Sequence, residues 1–420
     1  MIALRVLVIG SGGREHALAL SLSGDPAVSE LHVAPGNPGT AQIAVNHAVD
    51  PVDGAAVAAL ASSLGVNLVV VGPEAPLVAG AADSVRAAGM ACFGPSRAAA
   101  AIEGSKAFAK DVMAAAGVPT ARARACAGPA EIEAALDEFG SPYVVKDDGL
   151  AAGKGVVVTS DREAALAHGL RCGRVVVEEF LDGPEVSLFG ITDGTTVRAL
   201  QPAQDFKRVG DGDTGPNTGG MGAYTPLPWA PDDLADEVTQ TVLQPTVDEL
   251  ARRGTPFVGL LYAGLALTDR GIRVIEFNAR FGDPETQPLL ARLETPLGGL
   301  LHAAATGDLA AQPELAWGSG AAVGVVLAAA GYPGTPQTGG LITGLDAAAE
   351  NGCQVIHAGT ALDGEARLIG SGGRVLAVVG TGGDIETARA RAYDSIAKIS
   401  LPGSFYRADI ALAAAQLAIR

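Results

Sequence analysis

Short apolar segments alternate with helical segments along residues 4–94, and this alternation is the feature that most restricts the fold. Strands that alternate with helices pair in parallel, because each helix returns the chain to the edge of the sheet where the previous strand began. We therefore predict a doubly wound parallel sheet. Its predicted strands are Leu4–Ile9, Leu31–Ala34, Leu68–Gly72 and Ala91–Gly94, and its predicted helices are Arg14–Leu22, Ala55–Leu64 and Leu77–Ala88.

The first turn of this predicted sheet, GSGGREH at residues 10–16, is rich in glycine. A dinucleotide-binding turn has a third glycine where Glu15 stands, and an acidic residue after the second strand, where this chain has Pro35 and Gly36. NAD binding, and with it a dehydrogenase activity, is therefore disfavoured. The loop still offers backbone N–H groups to a phosphate at the start of the helix. His16 is compatible with acid–base catalysis or with an ordinary hydrogen bond.

The apolar run VIEFN predicts a strand with polar residues on one face only. Because strand side chains alternate, Glu276 and Asn278 share a face, and Ile275 and Phe277 are expected in a core on the other. Carboxylate and amide oxygens suit a hard cation, and Mg²⁺ beside phosphates needs only one or two protein oxygens. Arg280 follows, where a guanidinium can hold a phosphate or carboxylate with two hydrogen bonds. A half-exposed edge strand with a polar turn is the alternative.

The glycine-rich sequence DDGLAAGKG lies between a predicted strand that ends at Lys146 and another that begins at Val156. It does not match a P-loop, because only three residues separate Gly149 from Gly153 and because Lys154 is followed by glycine instead of Ser or Thr. Glycines let the backbone approach a phosphate and let a loop close as a lid. A plain hairpin loop is the alternative interpretation.

Lys106 lies at the start of a predicted helix that runs to Ala116 and ends at Gly117-Val118-Pro119. A lysine in the first turn opposes the helix dipole and therefore favours an anionic neighbour. The alternative is a solvated surface lysine.

Composition excludes several classes of protein. A chain of 420 residues is too long for one ordinary core, so several domains are expected. The formal net charge of −17 disfavours nucleic acid as a partner, since phosphate backbones require clustered Lys and Arg. The four cysteines lie far apart without a CxxC pair, which is typical of reduced cytoplasmic proteins. No uncharged run has the length that a membrane span requires, so no membrane partner is expected.

Two neighbouring motifs resemble a known enzyme family. RFGDPETQ at residues 280–287 resembles the signature of the glycinamide ribonucleotide synthetase family, and IEFN before it is similar to the metal-binding segment of ATP-grasp enzymes. The similarity recurs in order from Gly10 to beyond His357. The resemblance implies a multidomain α/β ATP-grasp fold with an N-terminal doubly wound domain (1–102), a central ATP-grasp domain (103–120 and 188–318), a small β-α-β lid domain (121–187) and a small C-terminal α/β domain (319–420).

The resemblance also implies how ATP is bound. Lysines would contact its phosphates beneath the glycine-rich lid, the hinge around residues 178–181 would hold adenine, and Glu185 would bind the ribose hydroxyls. Mg²⁺, or Mn²⁺ in its place, is expected on Glu276 and Asn278. The implied ATP-binding residues are Lys106, Lys146, Gly149, Gly153, Lys154, Gly155, Glu178, Glu179, Phe180, Leu181 and Glu185.

The remaining family motifs imply the substrate site and the catalytic residues. The substrates implied are glycine and 5-phosphoribosylamine, and a cytoplasmic monomer is expected. Lys146, Arg280 and Asp283 are the implied catalytic residues. The implied substrate-binding residues are Gly12, Gly13, Arg14, Glu15, Asn37, Pro73, Glu74, Asp205, Lys207, Arg208, Asn217, Thr218, Gly219, Gly220, Met221, Arg280 and Asp283.

The reaction implied is an ATP-dependent ligation through glycyl phosphate, which yields glycinamide ribonucleotide, ADP and phosphate for purine biosynthesis. Another ATP-grasp carboxylate–amine ligase and a non-catalytic nucleotide sensor are the alternatives. Three features depart from the family pattern: Asp147 stands where alanine is expected, the segment 167–173 is short, and the tail around Asp409 lacks a second arginine.

Overall fold

The structure is a computed structural model of the chain and describes residues 3–150 and 155–417. Its N-terminal part is a parallel sheet with the strand order β3-β2-β1-β4-β5, which confirms the predicted doubly wound arrangement. The central strands are buried on both faces, as parallel sheets require. The strands are β1 (Leu4–Gly10), β2 (Val28–Pro35), β3 (Val45–Asn46), β4 (Leu68–Val71) and β5 (Ala91–Phe93), and the helices are α1 (Gly13–Ser23), α2 (Gly54–Leu64), α3 (Glu74–Ala79) and α4 (Ala81–Ala87).

One predicted helix of this sheet is wrong in its extent. The segment predicted as Leu77–Ala88 forms the separate helices α3 and α4, which are divided by Gly80. Gly80 has a φ of 95°, in the left-handed region that favours glycine, and it ends α3 there.

Two helices lead out of this sheet: α5 (Arg97–Gly104) and α6 (Lys106–Ala116). Ser105 caps α6, because its hydroxyl oxygen accepts a hydrogen bond from the N–H of Phe108. Gly117, with a φ of 69°, ends α6 as the sequence predicts. Lys106 is therefore the first residue of α6, at the positive end of its dipole.

The lid unit is a four-stranded antiparallel sheet in the order β6-β9-β7-β8, with two helices packed on it. The strands that flank the glycine-rich loop pair antiparallel, as predicted. The unit comprises β6 (Ala123–Cys126), α7 (Pro129–Phe139), β7 (Tyr143–Asp147), β8 (Val156–Thr159), α8 (Arg162–Cys172) and β9 (Val175–Glu178).

The central unit contains a second sheet in the order β11-β10-β16-β17. A π-helical turn at Thr239–Leu243 lies between the helices α9 and α10. The elements are β10 (Glu185–Asp193), β11 (Val197–Ala199), β12 (Gln204–Asp205), β13 (Arg208–Gly210), β14 (Thr214–Asn217), β15 (Gly222–Thr225), α9 (Leu234–Val238), α10 (Gln244–Arg252), β16 (Val258–Thr268), β17 (Gly271–Asn278), α11 (Thr286–Leu290) and α12 (Leu297–Thr306).

A bulge in β17 changes the predicted alternation of its side chains. Glu276 pairs with Gly264 and Val274 with Leu265, so Ile275 is an extra residue between two ladder pairs. Ile275 is therefore partly exposed instead of lying in the core, whereas Phe277 is buried as predicted. Beyond the bulge, alternation resumes, and Glu276 and Asn278 share a face.

The C-terminal unit shares a sheet with two strands of the central unit. The order β12-β15-β18-β22-β19 joins residues 204–225 to strands beyond residue 320, across the boundary predicted at 318–319. The elements are β18 (Ala321–Ala328), α13 (Leu345–Ala349), β19 (Gln354–His357), β20 (Thr360–Leu362), β21 (Leu368–Gly370), β22 (Arg374–Gly382), α14 (Ile385–Ile396) and α15 (Leu412–Leu417).

Within the described ranges, no helix combines the length and apolar character that crossing a membrane requires.

The seam between β15 and β18 yields a test of this shared sheet. A Cβ added at Gly222 would lie 2.6 Å from the carbonyl oxygen of Gly324, a backbone atom that cannot turn aside. We expect Gly222→Ala to lower the free energy of unfolding by about 1–3 kcal/mol in urea denaturation. Gly299→Ala is the control: its Cβ meets nothing within 4 Å inside α12, so a gain of about 0.5–1 kcal/mol is expected. A Gly222→Ala protein as stable as wild type would contradict the close approach of β15 to β18 at this position.

Candidate active site

A buried ion pair joins two strands of the lid sheet. The Lys146 Nζ on β7 lies 2.8 Å from Glu178 Oε2 on β9, and both side chains are almost fully buried. The same ammonium donates to the carbonyl oxygen of Ile275, 2.8 Å away, at the bulge in β17. An ammonium has three hydrogens, so one stays available for a ligand. Lys146 therefore lies where the lid sheet meets the central sheet, beside Glu276.

A second lysine, which the sequence analysis missed, shares the same carboxylate. Lys110 Nζ lies 3.1 Å from Glu178 Oε1. Burial lowers the pKa of Lys110, although Glu178 opposes this shift. Its position one turn after Lys106 on α6 was the available signal, since residues four apart share a helix face.

Lys106 and the glycine-rich loop are connected directly. Lys106 Nζ donates to the carbonyl oxygen of Gly149 over 3.0 Å. The Asp148 carboxylate accepts hydrogen bonds from the Ser105 hydroxyl and from the Ala107 N–H at the start of α6. The described part of the loop is thus anchored at the positive end of α6. The predicted ligands Gly153 and Lys154 lie outside the described residues, and Gly155 is buried beside β8.

Asp147, the residue that departs from the family pattern, closes the strand pair at the base of this loop. Its N–H donates to the carbonyl oxygen of Gly155 over 2.7 Å. This contact uses only the backbone, so an aspartate fits the position as well as an alanine.

The predicted adenine hinge follows β9. Glu179 accepts hydrogen bonds from the N–H and Nε of Arg122 and from Arg270, 3.0–3.2 Å away. Burial opposes ionisation of Glu179, but these hydrogen bonds lower its pKa. Its carboxylate is therefore occupied by arginines, and its N–H donates to the carbonyl oxygen of Arg122 over 3.0 Å, which leaves the carbonyl oxygen of Glu179 for a base edge. The Phe180 side chain is 41% exposed and free to cover a ligand, and Leu181 is partly exposed beside it.

Four carboxylates cluster around one lysine in the central unit. Lys207 Nζ lies 2.7 Å from Glu185 Oε2. Burial raises the pKa of Asp205 to about 7; Lys207 opposes this rise, and the charges of Glu285, Glu185 and Glu276 add to it. The cluster therefore holds more negative charge than Lys207 neutralises.

This surplus suits a divalent cation. Glu276 and Asn278 present a carboxylate and an amide oxygen on one face of β17, and oxygen donors of this kind are what Mg²⁺ prefers. Among the residues that the structure describes, no group of three or more His, Cys, Asp and Glu side chains is arranged to hold a metal. The donor set thus fits a cation that takes its other ligands from phosphates and water.

The guanidinium of Arg280 contacts two carboxylates and one amide oxygen. Its guanidinium is 3.3 Å from Glu74, 3.3 Å from Glu103 and 3.3 Å from Asn278 Oδ1. Burial alone would lower the pKa of Arg280, but the two carboxylates raise it above its ordinary value. The sequence analysis assigned no role to Glu103, which also accepts the N–H of Ala279 over 2.7 Å. Arg280 thus joins the predicted metal site to the N-terminal unit.

The glycine-rich turn of the N-terminal unit is organised by Glu15. Its carboxylate accepts the N–H of Gly12 over 2.7 Å and pairs with Arg14. Glu15 is buried, and Cβ atoms added at Gly10 or Gly72 would clash with it. Arg14 also donates to the carbonyl oxygen of Phe281 over 3.1 Å. The turn is therefore held against the residues that follow Arg280, and Gly12 and Gly13 lie on it.

Asp283 is held by a residue of the C-terminal unit. Its carboxylate lies 3.3 Å from Arg374 and accepts a hydrogen bond from Gln287 over 3.0 Å. Burial opposes its ionisation, but Arg374 and Arg14 lower the pKa of Asp283. Arg374 also donates to the carbonyl oxygens of Gly219 and of Asp283 itself. The sequence analysis assigned no role to Arg374.

Asn37 links the N-terminal and C-terminal units. Its Nδ2 donates to the carbonyl oxygens of Ser11 and His357, 2.9 and 3.0 Å away. The His357 N–H donates to His16 Nδ1 over 2.8 Å. Burial lowers the pKa of His16 to about 3. His16 is therefore a neutral hydrogen-bond acceptor at this junction.

The other predicted substrate residues line the same region or support it. Thr218 accepts the N–H of Gly220 and donates to the carbonyl oxygen of Lys207, both over 2.9 Å. Met221 is fully buried in the core. The remaining ones are Pro73 and Glu74 at the start of α3, Arg208 and Asn217 paired between β13 and β14, and Gly219, whose N–H donates to the Tyr332 hydroxyl.

The arrangement has two adjoining halves. One contains Lys106, Lys146, the hinge and the acidic cluster, and it is suited to a nucleotide with a metal. The other contains the N-terminal turn, Asp283 and Arg374, and it is suited to a small polar substrate. The described contacts place Lys146 in the first half and Arg280 and Asp283 in the second, with Asn278 touching Arg280 between them.

Family profiles of phosphoribosylglycinamide synthetase match nearly the whole chain: the N domain at residues 4–103, the ATP-grasp (A) domain at 104–286 and the C domain at 322–413. The phosphoribosylamine–glycine ligase of Streptomyces coelicolor is 68% identical over 415 residues, which are 98% of this chain and 100% of that protein. That of Mycobacterium tuberculosis H37Rv is 60% identical over 422 residues, covering 98% and 99%.

Solved structures agree with this relationship. The crystal structure of phosphoribosylamine–glycine ligase from Thermotoga maritima is 33% identical, with a TM-score of 0.84 over 97% of this chain and 100% of that one. The biotin carboxylase domain of 2-oxoglutarate carboxylase from Hydrogenobacter thermophilus has a TM-score of 0.73 over 96% of this chain and 92% of its own, at 14% identity, and shares the fold alone. This chain therefore belongs to the phosphoribosylglycinamide synthetase family of ATP-grasp ligases.

Proposed function

We propose that the protein joins glycine to 5-phosphoribosylamine at the expense of ATP, and forms glycinamide ribonucleotide, ADP and phosphate in de novo purine biosynthesis. One contact carries the assignment of the chemistry. The ammonium of Lys146 donates to the carbonyl oxygen of Ile275, the residue next to Glu276. A phosphate-binding lysine thereby lies beside a carboxylate suited to a metal, which is the pairing that phosphoryl transfer needs.

The reaction has two steps. A carboxylate oxygen of glycine attacks the γ-phosphorus of ATP, and the bond to the β-phosphate oxygen breaks to give glycyl phosphate and ADP. The amine nitrogen of 5-phosphoribosylamine then attacks the glycyl carbonyl carbon, phosphate leaves and the nitrogen loses a proton. Neither step needs a protein nucleophile, so the enzyme contributes position, charge neutralisation and exclusion of water.

The residues of the first half fit the nucleotide. Lys106 and Lys146 neutralise phosphate oxygens, and Glu185 accepts hydrogen bonds from ribose hydroxyls. Glu276 and Asn278 are the residues that would hold Mg²⁺, which supplies charge neutralisation at the phosphates when it is bound. We propose the glycine-rich loop between Lys146 and Val156 as the lid over these residues.

The second half receives the substrates. Arg14 and the N–H of Gly13, at the start of α1, suit an anionic group such as the phosphate of 5-phosphoribosylamine. Asp283, kept ionised by Arg374, suits an amine. Arg280 is anchored by Glu74 and Glu103, and it spreads positive charge towards the reacting phosphate.

We also propose the metal, the oligomeric state, the compartment and the domain boundaries of the protein. We assign Mg²⁺ as the working metal, with Mn²⁺ able to replace it, and a monomer in the cytoplasm. All four cysteines are free thiols in the described structure, which supports a reducing compartment. We propose four domains with boundaries at residues 102, 120, 187 and 318. The sheet that contains β12, β15, β18, β22 and β19 crosses the last boundary.

The decisive experiment measures phosphate release from Mg-ATP with glycine, with and without freshly generated 5-phosphoribosylamine. We expect sustained release only when both substrates are present, because the acyl phosphate is shielded from water until the amine arrives. Release without glycine, or a preference for another carboxylate, would identify a different ATP-grasp ligase. No release under any condition would identify a nucleotide sensor.

Glu276→Gln tests the metal assignment. Removing the charge while keeping the shape should lower kcat about 100-fold or more, because metal binding stabilises the charge of the transition state by several kcal/mol. Phosphate release and far-UV circular dichroism would show loss of activity in a folded protein. Glu237→Gln, at an exposed position of α9, is the matched control and should retain full activity. Near-normal turnover of Glu276→Gln would refute the assignment.

The acidic cluster predicts an unusual dependence of stability on pH. The pKa of Asp205 is about 7 in the folded chain and about 4 when unfolded, so between these pH values the folded state binds more protons. The contribution of Asp205 to stability is therefore present at low pH and is lost as pH rises towards 8.

Asp205→Asn should consequently raise Tm by about 1–3 °C at pH 8 in the absence of metal and nucleotide. The difference from wild type should shrink as the pH approaches 4. Thermal melts across this range measure it. A variant that is less stable than wild type at pH 8 would show that the cluster carries no surplus charge.

A further inference from the structure

Lys110, a lysine of α6 that the proposed reaction does not use, contacts both segments that connect the lid to the central unit. Lys110 Nζ donates to Thr120 Oγ1 over 2.9 Å and to the carbonyl oxygen of Ala121 over 3.0 Å, and it lies 3.1 Å from Glu178 Oε1. These three contacts use all three hydrogens of its ammonium. Lys110 therefore has no hydrogen left for a phosphate, in contrast to Lys146.

The partners of Lys110 belong to the two segments that connect the central unit to the lid. Thr120 and Ala121 carry the chain from α6 into the lid, and Glu178 ends β9, where the chain leaves the lid. The Thr120 hydroxyl also donates to the carbonyl oxygen of Val274 on β17, 2.6 Å away. The ammonium of Lys110 thus holds both connecting segments against the central unit.

Glu178 is held from both sides as a result. Its Oε1 faces Lys110 and its Oε2 faces Lys146, and only 3% of its side chain is exposed. A carboxylate held between two ammonium groups accepts hydrogen bonds and donates none. A purine amino group donates to such an acceptor, whereas a purine carbonyl meets it with like partial charge.

We infer that Lys110 is a positioning residue that fixes Glu178 as a hydrogen-bond acceptor, and so makes the site select purine nucleotides with an amino group at ring position 6 over those with a carbonyl. The inference rests on the proposed use of ATP. It assigns to Lys110 a part in selecting the base and no part in phosphoryl transfer.

Lys110→Met is the test, because methionine keeps the apolar stem and removes the ammonium. Glu178 Oε1 then loses its partner, and the carboxylate is free to turn away from the base. We expect kcat/KM for ATP to fall about tenfold, mainly through KM, while kcat/KM for GTP changes less than about threefold. The ATP-to-GTP preference should therefore drop severalfold, with kcat at saturating ATP affected least.

Two further variants complete the experiment. Lys110→Arg keeps the positive charge and should retain most of the preference. Lys398→Met removes an ammonium that donates to the carbonyl oxygen of Ala347 in the C-terminal unit, and it should leave all constants unchanged. Where Lys110→Met does not fold, Lys110→Gln keeps a donor without the charge, and the same loss of preference is expected.

The outcomes separate this inference from the proposed function. If Lys110→Met and Lys110→Gln lower kcat/KM for ATP and GTP equally, or lower only Tm, Lys110 has a structural role and the inference is overturned. A wild-type enzyme that ligates glycine with equal use of ATP and GTP also overturns it, and leaves the ligase assignment intact. Absence of ATP-dependent ligation by the wild type removes the proposed function, and the inference with it.

Discussion

The ion pair between Lys146 and Glu178 is the interaction on which the rest of the site depends. Two buried charges are tolerated only when they are paired and hydrogen-bonded, and here the third partner, the carbonyl oxygen of Ile275, belongs to another sheet. The bulge in β17 makes this contact possible, because it removes Ile275 from the ladder of paired residues. The pair therefore sets both the distance between the two sheets and the position of Glu276 relative to Lys146.

An acidic chain that binds a polyanion must control its charges locally. The net charge of −17 repels ATP at long range, and the cluster around Lys207 adds a local surplus of carboxylates. Burial, and after it the neighbouring carboxylates, raise the pKa of Asp205 there. This surplus of negative charge is destabilising by itself and favours a divalent cation, which would neutralise charge at the phosphates. Stability without ligands is thus lower than the same fold could reach, as is common at functional sites.

The sequence was sufficient to predict the elements that form because of local residue patterns. Alternating strands and helices predicted the parallel sheet, and Glu276 and Asn278 shared a face as their spacing required. The bulge at Ile275 was not predictable, because one extra residue leaves the composition of a strand unchanged and depends on its partner strand. Lys110 was missed for a related reason: its role comes from Glu178, which is distant in sequence, and its own surroundings resemble those of any helical lysine.

In the second half of the site, the sequence motif identifies the site residues but does not reveal the distant residues that they contact. Arg280 and Asp283 belong to one motif, yet their partners come from three regions: Glu74 and Glu103 before the lid, Gln287 nearby, and Arg374 near the C-terminus. Each long-range pair restricts the loop that follows β17 from a different side. Because Arg280 also touches Asn278, a shift of either domain against this loop moves the amide oxygen that we propose for the metal. The proposed substrate and nucleotide halves therefore depend on the same contact.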